Sequence, residues 1–386
     1  MYADKEYIIR IRRELHEYPE IGFDLPRTLS LVRRELDDMG IPYTEKFGES
    51  SIVAYINLDK AGFTIGIRAD MDALPIEEKT GLPYSSKNPG KMHACGHDAH
   101  TAMLLGTAKA LKAMENKVGC RVALLFQPSE EGAKSGAEKM VADGVMDDID
   151  LIIGLHVENW LEAGKIGVCK GESMASSRTF KLEFFGKSAH ATLPESGHDA
   201  LAAAVECYNG IQTMLARTIS PFSRYVCSVG KLEGGTTQNV VADYAMMLGT
   251  VRTFDMSVDT HIIESIGRIA NAAAANFGCT AKLTTDLKAY VIYNDPELSE
   301  RVLASARAVV GDENIANMPP KMSSEDFSQY LTKRPGVFFR LGTANAEKGI
   351  RSLPHNSDFL IDEDALVIGS DTCVRFVLDN GGDKND

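Results

Sequence analysis

Short apolar runs alternate with amphipathic helical stretches over the first 160 residues, and that alternation constrains the fold more than any other feature of the chain. Residues 52–57, 63–69, 121–126 and 151–155 read as buried strands. Residues 4–18, 27–40, 102–111 and 133–142 carry helical periodicity. Strand–helix alternation predicts an α/β domain whose mostly parallel sheet is flanked by helices on both faces. Ligands bind such sheets beyond the C-terminal ends of their strands. Asp70, Asp72, the 127–131 stretch and His156 are each predicted to lie just past a strand.

The alternation is interrupted once. The order from 179 to 287 is strand (179–185), helix (200–215), strand (225–232), strand (244–251), helix (258–276), strand (281–287). A β-α-β-β-α-β series is the ferredoxin-like arrangement. It predicts an inserted α+β domain at 175–287, with hinges at 172–177 and 286–292. Residues 1–174 and 288–386 would then form one split catalytic domain. The closing part ends in a helical run at 363–378 and a polar tail, 380–386, expected to fray.

Two domains suit a length of 386 residues. A formal net charge of -13 argues against a nucleic-acid partner, which requires a surplus of Lys and Arg. No apolar run is long enough for a membrane span. The opening Met1-Tyr2-Ala3-Asp4-Lys5-Glu6 has no apolar signal core, so a cytoplasmic location is expected. Seven scattered cysteines do not suggest a disulfide framework. Only Cys95 has neighbours typical of a ligand.

Those neighbours are Met92-His93-Ala94-Cys95-Gly96-His97-Asp98-Ala99-His100, just before an apolar helix. Cys95 and His97 can face one cation across a turn that Gly96 permits. The bland alternative is a helix start capped by Asp98. A second cluster, Gln127-Pro128-Ser129-Glu130-Glu131-Gly132, follows a predicted strand. One of its carboxylates can bind a metal while the other serves as general base. Alternatively, both are solvated near a helix start. His156 and His355 would each be ordinary packed or exposed histidines if considered alone. Asp70 could orient a ligand histidine or simply occupy a turn. Together, the Cys, His and Glu inventory would satisfy two cations. Imidazole and thiolate suit Zn²⁺, carboxylate admits Mn²⁺, and Co²⁺ or Ni²⁺ also fit a mixed set.

Several motifs carry a family resemblance. They are Arg68-Ala-Asp-Met-Asp-Ala-Leu-Pro75, His93-Ala-Cys-Gly-His-Asp-Ala-His100, Gln127-Pro-Ser-Glu-Glu-Gly132, Gly154-Leu-His156 and the 353–359 stretch. Ser188-Ala-His-Ala191, Asn239-Val-Val and Gly249-Thr-Val-Arg-Thr253 add weaker matches. The chain resembles the di-metal aminoacylase–carboxypeptidase family, in its hippurate hydrolase and indoleacetyl-amino acid hydrolase branch. The resemblance implies a bridging ligand at Cys95 and terminal ligands at His97, Glu131, His156 and His355. It implies a catalytic base at Glu130 and a supporting aspartate at Asp70. It implies that the inserted domain is a lid that also forms a homodimer, with His190 polarising the scissile carbonyl in the partner's site. Asn239 and Arg252 would hold the substrate, Arg252 by its carboxylate. Residues 158–160, Thr192-Leu193 and Ser357 depart from the pattern expected of the family.

The expected function is metal-dependent cleavage of small N-acyl-L-amino acids to a carboxylic acid and a free amino acid. Deacetylation of N-acetyl-diaminopimelate and dipeptide hydrolysis are the alternatives within hydrolases. A non-catalytic metal-binding protein is the rival from another class. It would have no use for a carboxylate at Glu130 beside Glu131.

Overall fold

The computed structural model describes residues 1–382, so the end of the expected frayed tail, 383–386, lies outside the described residues. In chain order the elements begin α1 (Lys5–His16), α2 (Pro26–Asp38), β1 (Tyr43–Thr44), β2 (Ile52–Ile56), β3 (Thr64–Asp70), α3 (His97–Ala113) and β4 (Arg121–Gln127). They continue α4 (Gly136–Ala142), β5 (Leu151–Glu162), β6 (Ile166–Val168), β7 (Gly171–Met174), β8 (Ser177–Phe185), α5 (Ala200–Thr218), β9 (Tyr225–Gly234) and β10 (Tyr244–Thr253). The last are α6 (Met256–Asn276), β11 (Thr280–Ala289), β12 (Ile292–Asn294), α7 (Pro296–Val310), β13 (Ile315–Asn317), α8 (Ser328–Leu331), β14 (Gly336–Ala344) and α9 (Leu366–Asn380).

The chain divides into two compact units. The first comprises Met1–Ser173, Tyr293–Pro320 and the chain from Asp326 onward. Its sheet has the order β1-β2-β4-β3-β5-β14-β6-β13. The central strands β4, β3, β5 and β14 are all parallel. Among the described residues, the antiparallel pairs of this sheet lie toward its edges: β1 with β2, β2 with β4, and β14 with β6. All seven residues of β3 are buried, as expected of a strand covered on both faces. Helix α3 is buried nearly all round, which explains its weak amphipathicity. Its Leu104, Leu105 and Leu111 sit in the core, each contributing about 1.5–3 kcal/mol by burial.

Two local predictions are corrected. Helix α4 begins at Gly136 rather than 133, because Ser135 caps it by accepting the N–H of Glu138 at 3.0 Å. Strand β5 does not stop at Leu155. It runs on through His156 to Glu162, because β14 pairs with it in parallel register from Ile152 to Glu158. The polar residues from His156 to Asn159 resemble a strand end, yet they lie within a central strand.

The second unit comprises Met174–Ile292 and the short segment Lys321–Glu325. That segment joins it because the Ala175 N–H donates to the carbonyls of Lys321 and Ser323, each at 3.1 Å. Its antiparallel sheet has the order β11-β8-β10-β9, a ferredoxin-like arrangement. Phe180, Leu182 and Phe184 alternate along β8 into a core shared with Cys207 and Ile211 of α5 and Ile262 and Ile266 of α6. Asp199 and Asp255 cap the two helices.

Candidate metal centre

Gly96 makes the first part of the site possible. It lies in the left-handed region at φ +88°, and a Cβ there would strike the Val157 side chain. The turn it forms sets Cys95 and His97 together at the start of α3. The His97 Nδ1–H donates to the Asp72 backbone carbonyl at 2.8 Å. That bond occupies Nδ1, and the buried Nε2 has no hydrogen-bond partner among the described residues. The His156 ring repeats the pattern: its Nδ1–H donates to the Val157 carbonyl at 2.6 Å, and its Nε2 lies 3.4 Å from Cys95 Sγ. The ligand atoms of Cys95, His97 and His156 lie within 4.8 Å of one another.

The second part comes from two loops. Ser129 at φ +52° and His355 at φ +67° are both non-glycine residues in the left-handed region, a conformation costing of order 1–3 kcal/mol that tertiary contacts must offset. The His355 N–H donates to the Ala94 carbonyl at 2.8 Å, tying its loop to the cysteine turn. The His355 Nε2 is 3.0 Å from Glu131 Oε1. Cys95, Glu131 and His355 form a second ligand trio within 4.8 Å, so Cys95 belongs to both. The Glu130 carboxylate lies within the same distance of the His97 and Glu131 ligand atoms.

The donor chemistry fits two divalent cations. Each ring commits Nδ1 to a backbone carbonyl, one sulfur is common to both trios, and Glu131 completes the second with His355. Burial alone would lower the His97 pKa, but Asp70, Asp72 and Cys95 hold it well above its ordinary value, so a cation binding there displaces a proton. Burial pushes the Cys95 thiol up and His156 down, so in the metal-free protein both favour their neutral forms.

The remaining polar residues of the region support the centre. Burial alone would raise the Asp70 carboxyl, but Arg68, His97 and His100 hold it well below its ordinary value. Asp70 Oδ2 is 2.6 Å from Arg68, and its Oδ1 is 2.6 Å from His100 Nδ1. The His100 Nε2 accepts the Val157 N–H at 2.9 Å. Both His100 nitrogens are therefore committed, and this third histidine of the motif is structural. Asp70 stands 3.7 Å from His97 Nε2. The group that fixes the His97 ring is thus the Asp72 carbonyl, not the Asp70 carboxylate. Asp98, in the first turn of α3, pairs with Arg12 at 2.8 Å and His16 Nδ1 at 2.7 Å. His93 is buried without a hydrogen-bond partner among the described residues, and burial lowers its pKa to about 3.

The other three expected site residues belong to the second unit. His190 is exposed, and its backbone bridges Val240, beside Asn239. The Ala191 N–H donates to the Asn239 carbonyl at 3.0 Å. Arg252, near the end of β10, donates from Nη1 to Ser324 Oγ at 2.6 Å. Two residues absent from the expected set also matter. The Asp72 carboxylate accepts the N–H groups of Glu130 and Glu131 at 2.9 and 3.1 Å. The Asn159 side-chain amide donates to the carbonyls of Ser352 (at 2.8 Å) and Leu360, on either side of His355. Asp72 sits inside the Arg68–Pro75 motif and Asn159 inside the unusual 158–160 stretch, but their roles depend on pairing between distant segments.

Comparison with known proteins agrees with this chemistry. Residues 66–379 match peptidase family M20/M25/M40. The chain is 36% identical over 370 residues to thermostable carboxypeptidase 1 of Saccharolobus solfataricus, covering 95% of this chain and 93% of that one. It is 38% identical over 371 residues to IAA-amino acid hydrolase ILR1-like 4 of Arabidopsis thaliana, covering 95% and 83%. Among solved structures, the Bacillus subtilis YXEP protein, a dinuclear metal binding peptidase from the M20 family, superposes with a TM-score of 0.81. The two share 33% identity over 97% of each chain. With two ligand trios meeting at one sulfur and these relatives spanning nearly its whole length, the chain belongs to peptidase family M20/M25/M40 and is an amidohydrolase.

Proposed function

We propose that the protein hydrolyses the amide bond of N-acyl-L-amino acids, releasing a carboxylic acid and a free amino acid. The observation that carries this reading is Glu130, a carboxylate beside the shared centre whose neighbour Glu131 belongs to the Cys95–His355 trio. A relative named an amino acid hydrolase supports the same substrate class. Cys95, His97, Glu131, His156 and His355 would hold two divalent cations, with Mn²⁺ or Zn²⁺ favoured and Co²⁺ or Ni²⁺ compatible. When bound, the cations make water more acidic and polarise the scissile carbonyl.

Glu130 takes a proton from the attacking water. Oxygen adds to the amide carbon, and the carbonyl oxygen gains the negative charge. Glu130 returns the proton to the nitrogen as the C–N bond breaks. The His190 Nε2–H donates to the developing oxyanion. Asn239 and Arg252 hold the substrate, the Arg252 guanidinium matching the free carboxylate as a two-point fork.

Dimerisation through the inserted domain would let His190 serve the partner's centre. Leu201, Val205 and Tyr208 form an exposed apolar stripe on α5, and β9 is an open edge of the same sheet. Light scattering of a Val205→Glu variant tests this, a dimer unaffected by the change arguing against that surface.

Glu130→Gln tests the central assignment. It should retain both cations and lose about 10²–10⁴-fold in kcat. Turnover close to wild type in the metal-loaded variant would overturn the assignment. Arg252→Ala should weaken N-acyl amino acids far more than their carboxamides, and equal losses would remove Arg252 from its role. A panel including N-acetyl-diaminopimelate and free-amine dipeptides separates the neighbouring hydrolase activities.

A further inference from the structure

Asp72 stands two residues beyond β3 and touches both halves of the centre. Strands β3 and β4 pair in parallel with Asp70 opposite Gln127, and the Met71 N–H extends that pairing by donating to the Gln127 carbonyl at 2.8 Å. The extension brings Asp72 alongside the loop that follows β4. There its Oδ1 accepts the Glu130 N–H at 2.9 Å and its Oδ2 the Glu131 N–H at 3.1 Å. Its own carbonyl accepts Nδ1–H of His97 at 2.8 Å. The side chain is fully buried, so water does not compete for these contacts. Ser129, left-handed just upstream, turns the two successive N–H groups toward one acceptor.

We infer that Asp72 is a positioning residue that locks the general-base loop to the metal-binding histidine, its carboxylate holding Glu130 and Glu131 and its carbonyl holding His97. The inference deepens the amidohydrolase reading and takes its catalytic meaning from it. A carboxylate suits the task because it offers two acceptor oxygens and no donor. An asparagine amide of the same shape offers one acceptor and turns its NH₂ toward an N–H.

Asp72→Asn therefore separates the two functions of the residue. The backbone carbonyl remains, so His97 keeps its tautomer. The grip on the glutamate loop is lost. In zinc titrations against a competing chelator, one equivalent should stay tight and the second should weaken by about 10–100-fold, as is usual when a group supporting a ligand is removed. Hydrogen exchange of the metal-free variant should show lost protection at the Glu130 and Glu131 amides. In a Glu131→Ala background, Asp72→Asn should add little further loss of zinc. Asp72→Glu preserves the charge and should show a partial effect, and it serves as the test if the asparagine variant does not fold.

Wild-type zinc affinity together with intact amide protection, in whichever variant folds, would overturn the inference. Glu130→Gln measured in parallel keeps the two proposals apart. If it retains turnover, amide hydrolysis by Glu130 fails while the zinc and exchange results on Asp72 stand. If it is inactive and Asp72→Asn is indistinguishable from wild type, only the positioning role fails.

Discussion

Thr192 donates its backbone N–H to His190 Nδ1 at 3.2 Å, and its hydroxyl oxygen lies 2.7 Å from the same nitrogen. An N–H can only donate, so Nδ1 is the acceptor and the proton of the neutral ring sits on Nε2. That tautomer is the one able to donate to an oxyanion. Nitrogen NMR of the neutral ring should report a protonated Nε2 and a bare Nδ1. The reverse pattern would refute it. Thr192→Val keeps the backbone bond and loses the hydroxyl. It should lower kcat by up to about tenfold, the worth of one net hydrogen bond.

Asn159 holds the His355 loop from both sides, and Thr343 Oγ1 in turn donates to Asn159 Oδ1 at 2.6 Å. Asn159→Ala should cost about 1–3 kcal/mol, because partly buried carbonyls lose their donor. It should also weaken a cation bound at the Cys95–Glu131–His355 trio more than one bound at the Cys95–His97–His156 trio. Denaturant melts and a zinc titration measure the two effects, and equal weakening of both cations would contradict the assignment.

Arg68 lies fully buried between Asp70 at 2.6 Å and Asp326 at 2.9 Å. Arg68→Met should destabilise the fold by about 3–5 kcal/mol by stranding two buried carboxylates. Chemical denaturation of the metal-free variant reads this loss directly. A shift below about 1 kcal/mol would mean that other groups suffice to stabilise those carboxylates.

Glu78 gives a pH signature remote from the cations. Burial alone would raise its pKa, but hydrogen bonds from His16, Thr80 and the Ser86 N–H outweigh burial and hold it at about 2. A carboxylate depressed in the folded state stabilises it above the unfolded value of 4.5. That contribution is lost as pH falls from there toward about 2. Glu78→Gln should therefore flatten the decline of stability over this window, by at most about 1.4 kcal/mol per pH unit. Parallel slopes for the two proteins would show that Glu78 is not so depressed.

The sequence made some of this site legible and concealed the rest for physical reasons. Cys95, His97, Glu130 and Glu131 lie close together in short turns, where residue type and spacing reveal their chemistry. His-Val-Glu-Asn interrupts an apolar run, so the sequence puts His156 just past a strand. It is instead inside β5, where β14 supplies the pairing. Asp72 and Asn159 were illegible as supports because each acts on a segment far away in the chain. Asp72 reaches the 130–131 loop through the β3–β4 register, and Asn159 reaches residues 352–360 across the β5–β14 pair. The alternating and ferredoxin-like halves of the fold were readable because hydrophobic periodicity is local. The short return at 321–325 was not, since it rests on a few backbone hydrogen bonds.

His156 and His355 close the two ligand trios from different kinds of backbone. One is embedded in a parallel sheet and the other rides on a loop in a left-handed conformation. The centre thus draws one trio from the body of a sheet and the other from a loop that stays in place only through its ties to Asn159 and the Ala94 carbonyl. Cutting those ties should alter the geometry around His355 while His156 stays in place.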